Sequence, residues 1–355
     1  MLKYSLGLDI SANSIQCCIS VIDEQQKVTV KSSRKISNNT KGFEELTTWI
    51  SKHCKEKDVP LSVNMEATGI YYENCALYLY QKGFNVSVIL PNKAKKYLQA
   101  IGQKSKNDSI DAQGLSRMGA EQSLDLWQPM GEYYYLLRKL TRQYQSLQEL
   151  KTNVSNQLHA ETNGMYESQD VTEQLTTLIS TLVTQIKAME KLIKEHIESD
   201  ESVSQKVSNI SKIKGVGLQT VAVVLAETNG FLLFKNSRQL VSYAGYDIVQ
   251  NQSGSHNGRT RISKKGNSRL RKAMHMPSLS LIQHKVKPFF NLYERTLKKH
   301  YIKMKSYVAV QKKLLVLIYS LWSNNTPFNE NHGLEISGYQ EPELSLGSSA
   351  VAEAE

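Results

Sequence analysis

Tyr4-Ser5-Leu6-Gly7-Leu8-Asp9-Ile10 is a short apolar run with a carboxylate, Asp9, one residue before its end. It reads as a buried strand. A second run, Leu61-Ser62-Val63-Asn64-Met65-Glu66, ends on an acid and is followed by Ala67-Thr68-Gly69. Asp108 and Asp111 stand three apart, just after the basic loop Lys104-Ser105-Lys106-Asn107. Residues three apart on a helix share a face. Two strand ends and one helix can therefore bring Asp9, Glu66, Asp108 and Asp111 to one place. Such a cluster repels itself unless a divalent cation neutralises it, and hard oxygen donors favour magnesium or manganese. The matching chemistry is metal-assisted attack on a phosphodiester. Singly, each acid has a plainer explanation: Asp9 as a strand-end acid, Glu66 as a cap on the turn that follows, Asp108 as the N-cap of its helix. Their joint occurrence points to the metal site.

Around these acids, residues 1–128 alternate strand and helix signals. Strands are expected at 4–10, 14–22 and 27–31, the second with Ile15, Cys17, Ile19 and Val21 at period two. A helix over about 41–57 carries Phe43, Leu46, Trp49 and Ile50 on one face. The strand ending at Glu66 follows, then a helix over about 71–82 with Gly83 at its C-terminal cap. Val86-Ser87-Val88-Ile89-Leu90 reads as a buried strand stopped by Pro91, and a lysine-rich helix leads to the helix bearing Asp108 and Asp111. Three strands, then helix, strand, helix, strand and helix is a ribonuclease-H-like order. Acids on the first strand, at the end of the fourth and on a late helix match that fold's metal-site arrangement, an analogy at the level of fold.

Residues 129–205 form a helical segment. Leu136, Leu137, Leu140, Tyr144, Leu147 and Leu150 start it, Gly164 breaks it, and Leu175, Ile179, Leu182, Ile186, Met189, Ile193 and Ile197 recur at mostly three- and four-residue steps. The stripe fits an antiparallel hairpin or a coiled coil used in assembly, or else a layer packed within the monomer. Residues 206–328 are mainly helical and open with Ile213-Lys214-Gly215-Val216-Gly217-Leu218. This resembles a helix-hairpin-helix whose glycines let backbone N–H groups approach a phosphate. A tight turn between core helices explains it equally well. Val241-Ser242-Tyr243-Ala244-Gly245-Tyr246 reads as a helix end and turn. Residues 248–293 then hold Arg259, Arg261, Lys264, Lys265, Arg269, Arg271, Lys272, Lys285 and Lys287 with no Asp or Glu. A solvated face normally mixes signs, so this stretch favours phosphate contact. Lys298, Lys299, Lys303, Lys305, Lys312 and Lys313 extend it on an amphipathic helix. Residues 329–355 carry six Glu and no Lys or Arg, and read as a disordered acidic tail.

Composition agrees with a polyanionic partner. The chain has 355 residues and a net charge of +11, with pI about 9.2. Cys17, Cys18, Cys54 and Cys75 form no CxxC pair and no metal-ligand spacing, as in a reducing compartment. Met1-Leu2-Lys3-Tyr4 leads straight into the first strand, leaving no room for a signal peptide. No window approaches the roughly 20 apolar residues of a membrane span. The expectation is a cytoplasmic, prokaryotic protein with no membrane partner. His159, His256 and His275 show no paired ligand spacing and read as surface or phosphate-contacting residues.

Together these motifs resemble the DEDD transposases of the IS-one-ten family of bacterial insertion sequences, from about residue 4 to about residue 325. Leu6-Gly7-Leu8-Asp9, Glu66-Ala67-Thr68-Gly69 and Lys106-Asn107-Asp108-Ser109-Ile110-Asp111-Ala112 are similar to the family's three acidic motifs. Ile213-Lys214-Gly215-Val216-Gly217, Tyr243-Ala244-Gly245, Ser253-Gly254 and Ile262-Ser263-Lys264-Lys265-Gly266-Asn267 with Leu270-Arg271 are similar to its C-terminal domain, in order. At Tyr246-Asp247-Ile248 the chain departs from the family, which often has a proline after this turn. The resemblance implies a Holliday-junction-resolvase-like N-terminal domain whose acids bind magnesium. It also implies a serine, Ser253 by motif position, that attacks donor and target DNA and holds a covalent phosphoserine. Ser255, two residues on, competes for that role, and Ser253 beside Gly254 also suits an ordinary turn. The family further implies a structured non-coding guide RNA, an active site shared between subunits, and a homotetramer built as a dimer of dimers. Lys104, Lys106, Arg259, Arg261, Lys264, Lys265, Asn267, Arg269, Arg271 and Lys272 are the expected nucleic-acid contacts. Two other readings stay open: a metal-dependent junction nuclease without a covalent intermediate, and a nucleic-acid-binding scaffold with an inactive site.

Overall fold

The computed structural model describes residues 2–56, 58–103, 107–250, 252–253, 256–258 and 261–329. The chain divides into two compact units, Met1–Pro129 and Met130–Glu355. It is a mixed α/β chain with a helical C-terminal part. The expected acidic tail, 329–355, lies outside the described residues from position 330 on.

Unit 1 runs β1 (Lys3–Ile10), β2 (Ser14–Ile22), β3 (Val28–Ser37), α1 (Thr40–His53), β4 (Leu61–Glu66), α2 (Glu73–Gln81), β5 (Asn85–Ile89), α3 (Pro91–Ala100) and α4 (Asp108–Glu121). The sheet order is β3-β2-β1-β4-β5. The first three strands pair antiparallel, whereas β1 with β4 and β4 with β5 pair parallel. Alternation along β1 sorts the two faces. Tyr4, Leu6 and Leu8 pack with Phe43, Leu46 and Trp49 of α1 and Leu79 of α2. Ser5, Gly7 and Asp9 belong to the other face, which α4 covers. Gly83, at φ +84°, ends α2, and Pro91 opens α3 at its first turn. Cys17, Cys18 and Cys75 are buried and Cys54 partly so, all as free thiols. β3 runs six residues past its expected end at 31. It is an edge strand, exposed along most of its length, so its outer half lacks the apolar alternation that marks a strand.

Unit 2 runs α5 (Glu132–Thr162), α6 (Gln169–Glu198), α7 (Glu201–Ser211), α8 (Leu218–Thr228), α9 (Ser237–Tyr243), β6 (Ile248–Val249), β7 (Gln252–Ser253), β8 (His256–Asn257), β9 (Arg261–Ile262), α10 (Ser268–Gln283), α11 (Lys287–His300) and α12 (Lys303–Asn324). α8 is buried all round from Val221 to Thr228, as its unbroken apolar sequence requires. Leu137 of α5 and Ile193 and Ile197 of α6 belong to the same core as Val221, Leu240, Leu270 and Leu314. α5 and α6 pack on one another as a hairpin within the chain. Tyr133 Oη donates to the His196 carbonyl at 3.0 Å, and Tyr144 Oη bonds Glu190 at 3.1 Å. The stripe Leu182, Ile186, Ile193 and Ile197 is therefore buried inside one chain and is not waiting for a partner. The apolar side chains left open are Leu136, Leu150, Val171, Leu178 and Leu192, with Met165 and Tyr166 beyond α5. The lysine-rich stretch near the end is two helices rather than one, broken at Tyr301, which takes φ +54°.

Candidate functional site

In unit 1 the register builds a corner of acids. Leu8 of β1 pairs with Met65 of parallel β4, so Asp9 and Glu66 come next on neighbouring strand ends. Both share a face with residues two before them, Gly7 and Asn64. That face carries α4. Lys3 Nζ donates to the Gly119 and Gln122 carbonyls at 2.5 and 3.2 Å. Ser5 Oγ donates to the Ser116 carbonyl at 2.6 Å, and Ser116 Oγ returns a bond to the Ser5 carbonyl at 2.8 Å. A side chain at Gly7 would run into the Ala112 carbonyl and the Ser116 amide, so only glycine admits this close approach. As β1 runs forward, α4 runs backward, from Gln122 to Ala112. The first turn of α4, with Asp108 and Asp111, therefore lies toward the end of β1 that carries Asp9.

Asn107, not Asp108, caps α4. Its Oδ1 accepts from the Ile110 amide at 2.8 Å. The extended backbone at 107 permits that capping, and it leaves Asp108 and Asp111 in the first turn, where the helix dipole favours negative charge. Asp9, Glu66 and Asp111 are half-buried and Asp108 is exposed. Asp9, Glu66 and Asp111 each interact with neighbours. Among the described residues, no three His, Cys, Asp or Glu side chains stand close enough together to hold a metal ion. The donors are nevertheless all hard carboxylate oxygens, the type magnesium takes. Lys104 and Lys106 lie outside the described residues.

In unit 2 the acid-free stretch forms a narrow ribbon between α9 and α10. β6 pairs antiparallel with β9 and, further out, β7 with β8. The register sets Ser253 opposite His256 near the tip. Ser253 is exposed. Ser255 and Arg259 lie outside the described residues. The Ser263 amide donates to the Asp247 carbonyl at 2.8 Å, the Lys264 amide to Gly245 at 3.1 Å and the Asn267 amide to Tyr243 at 2.7 Å, which ties the ribbon's base to the end of α9. Strands two residues long are too short to show periodicity, so no pattern in the sequence announces them. Gly215, at φ +83°, joins α7 to α8, and a side chain there would strike Ser280 of α10.

The expected contacts divide. Arg261, Lys264 and Lys265 are exposed on the ribbon and the loop behind it. Asn267 is the N-cap of α10: its Oδ1 accepts from the Arg269 and Leu270 amides at 2.9 and 3.2 Å, and its Nδ2 donates to Glu227 at 2.8 Å. Arg271 Nη1 donates to the Ala244 carbonyl at 2.7 Å, and Lys272 pairs with Glu149 at 2.5 Å. Glu227 is a residue that motif and spacing do not single out. Burial works to raise its carboxyl, but hydrogen bonds from Arg142 and Asn267 and the charges of Arg142 and Arg269 hold it below the usual range. At the end of an apolar helix it has the look of an ordinary polar helix terminus. The one signal is an acid next to an otherwise unbroken buried run.

An α/β unit with an acidic corner, joined in one chain to a helical unit with a one-sign basic ribbon, is the architecture of an enzyme that works on nucleic acid. A transposase family model matches residues 6–166. The model for the transposase IS116/IS110/IS902 family matches residues 207–294. The chain belongs to this IS110 family of transposases, enzymes of DNA strand cleavage and transfer. Pilin gene-inverting proteins of Moraxella bovis and Moraxella lacunata are each 27% identical over 331 residues, covering 93% of this chain and 99% of theirs. A solved structure, T. thermophilus RuvC in complex with Holliday junction substrate, aligns at 9% identity over 33% of this chain and 93% of that one. Its TM-score of 0.27 is too low to bear on the fold. Among the described residues no helix is long and apolar enough to cross a membrane.

Proposed function

We propose that this transposase recombines donor and target DNA under the guidance of a structured RNA, with Ser253 as its nucleophile and a ribonuclease-H-like unit 1 as its metal-binding half. The observation that supports the proposal most is that Asp9 and Glu66 follow the paired Leu8 and Met65 on neighbouring parallel strands, with the first turn of α4, which holds Asp108 and Asp111, toward the same end of the sheet. Those four carboxylates would hold magnesium, or manganese, which supplies charge stabilisation at a scissile phosphate. Ser253 Oγ forms an ester to the phosphorus as the bond to one deoxyribose oxygen breaks; the serine loses its proton and the leaving oxygen gains one. Attack by a second strand's hydroxyl reverses the step and frees the serine. The exposure of Ser253 at a ribbon tip supports its access to a backbone.

Specificity then lies largely in base pairing with the RNA, while the protein holds phosphates. Lys104, Lys106, Arg259, Arg261, Lys264 and Lys265 serve those contacts. Assembly as a dimer of dimers uses the 129–205 helices, through the open face of the hairpin and not its buried stripe. The functional segments are 1–128, 129–205, 206–328 and the tail 329–355. The test is incubation with labelled donor DNA in magnesium, followed by denaturing gels. A covalent adduct that survives Ser255→Ala and vanishes in Ser253→Ala is expected. Cleavage without any adduct would replace this mechanism with the junction-nuclease alternative. RNA sequenced from protein expressed with its native flanking DNA tests the guide, and mass by light scattering tests the assembly.

A further inference from the structure

Among the described residues Glu227 is the one buried Asp, Glu, Lys or Arg, and its side chain is only 3% exposed. Other elements bring donors to it. Arg142 of α5 donates from Nε at 2.8 Å and from Nη2 at 3.0 Å, a two-point grip that fixes the guanidinium plane. Asn267, the cap of α10, donates at 2.8 Å. Arg269, two residues on, brings its Nε to 4.0 Å. Tyr243 Oη donates to the Glu227 carbonyl at 3.1 Å.

The balance of charge is uneven. One buried carboxylate faces two guanidiniums, whose side chains stay 42% and 47% exposed; the exposed Glu149, which also feels Arg269, is paired with Lys272. Burying a carboxylate this way stabilises a fold little, since well-packed apolar residues generally serve as well or better. What the group supplies is position: two half-exposed arginines from distant parts of the sequence are held at one buried carboxylate.

We propose that Arg142 and Arg269 form a phosphodiester-binding surface and that Glu227 is its positioning residue, setting both guanidiniums before the nucleic acid arrives. This surface rests on the nucleic-acid function proposed above and adds α5 to it. Guanidiniums preset in this way bind a phosphate without first losing their rotational freedom. Asn267 contributes by locking the first turn of α10, and with it Arg269, to Glu227.

The test uses the full-length protein and a labelled DNA duplex of random sequence, titrated at several salt concentrations, with thermal unfolding measured alongside. Arg142→Gln and Arg269→Gln should each lower the log–log salt slope by roughly 0.9. Glu227→Gln keeps both cations and the side-chain shape, and should weaken binding about ten-fold at a temperature where the variant is folded. A merely structural Glu227 would lower the melting temperature and leave the dissociation constant of the folded protein unchanged; that outcome overturns the positioning role. If Glu227→Gln does not fold, the two arginine variants, both on exposed side chains, decide alone. Unchanged slopes in both would remove the surface. A wild-type protein that shows no salt-dependent binding would overturn the nucleic-acid function itself, a failure visible before any variant is made.

Discussion

The acids of unit 1 and the single buried acid of unit 2 solve opposite problems. Asp9 and Glu66 stand on neighbouring strands and Asp108 and Asp111 in the helix turn toward that end of the sheet, at half-open or exposed positions that nothing in the fold obliges to be acidic. Glu227 is enclosed, and its charge is met by Arg142, Asn267 and Arg269 from the same unit. Like charge concentrated at an open corner calls for a cation from outside. A charge enclosed by its own partners marks a support. The two kinds of carboxylate should therefore fail in different ways when removed.

The largest difference should appear in activity. Asp9→Ala should reduce strand cleavage in magnesium by about a thousand-fold or more, as expected when several kcal/mol of electrostatic stabilisation is lost. Its stability should stay within about 0.5 kcal/mol of wild type, because a half-buried acid at a strand end adds little to the core. A folded Asp9→Ala enzyme with near-normal cleavage would erase the contrast between the two acids. Glu227→Ala should chiefly cost stability, about 1–3 kcal/mol in denaturant unfolding, because it removes the buried acceptor of Arg142 and Asn267, and it should weaken DNA binding as Glu227→Gln does. Gly7→Ala should cost about 1–3 kcal/mol by forcing α4 away from β1, and cleavage should fall with it because the first turn of α4 loses its seat.

A smaller effect concerns pH. In the folded protein the Glu227 carboxyl titrates below the usual value of 4.5. Its contribution is thus present above the unfolded value and is lost as pH falls through the folded one. Stability measured from pH 6 down to about pH 3 should show an acid limb that Glu227→Gln flattens. The smallest effect is the salt response of the ribbon. Neutralising Arg261, Lys264 and Lys265 together should reduce the log–log slope for DNA binding by roughly 0.7 to 0.9 for each phosphate they touch. An unchanged slope would mean that the ribbon faces solvent.

The corner is legible in the sequence because strand alternation and helix spacing are local. Leu6, Leu8, Val63 and Met65 announce the strands, with Asp9 one residue before the end of β1 and Glu66 at the end of β4. The close approach at Gly7 is not legible, since it depends on a helix more than a hundred residues away. The caps are only partly legible: Asn107 and Asp108 are adjacent residues that both suit an N-cap, and the structure uses Asn107 where the sequence suggests Asp108, while Asn267, expected as a nucleic-acid contact, is the cap of α10. The break at Tyr301 carries no glycine or proline, so a non-glycine residue in the left-handed region ends α11 with no local signal. Glu227 is hidden for a deeper reason. Its partners, Arg142 and Asn267, are 85 and 40 residues away, and only the folded core brings them together.

The four thiols have a practical consequence. Burial pushes the Cys75 thiol up to about 12 and raises those of Cys17 and Cys54 as well, so little of the reactive thiolate exists near neutral pH. Cys18 is enclosed in the sheet beside Cys17. The chain should be nearly silent toward maleimide dyes as it stands. Met165→Cys at the hairpin tip, or Ile70→Cys after β4, would each add one exposed attachment point against that quiet background. Fluorescent or spin labels placed there could follow the two units separately through a reaction cycle.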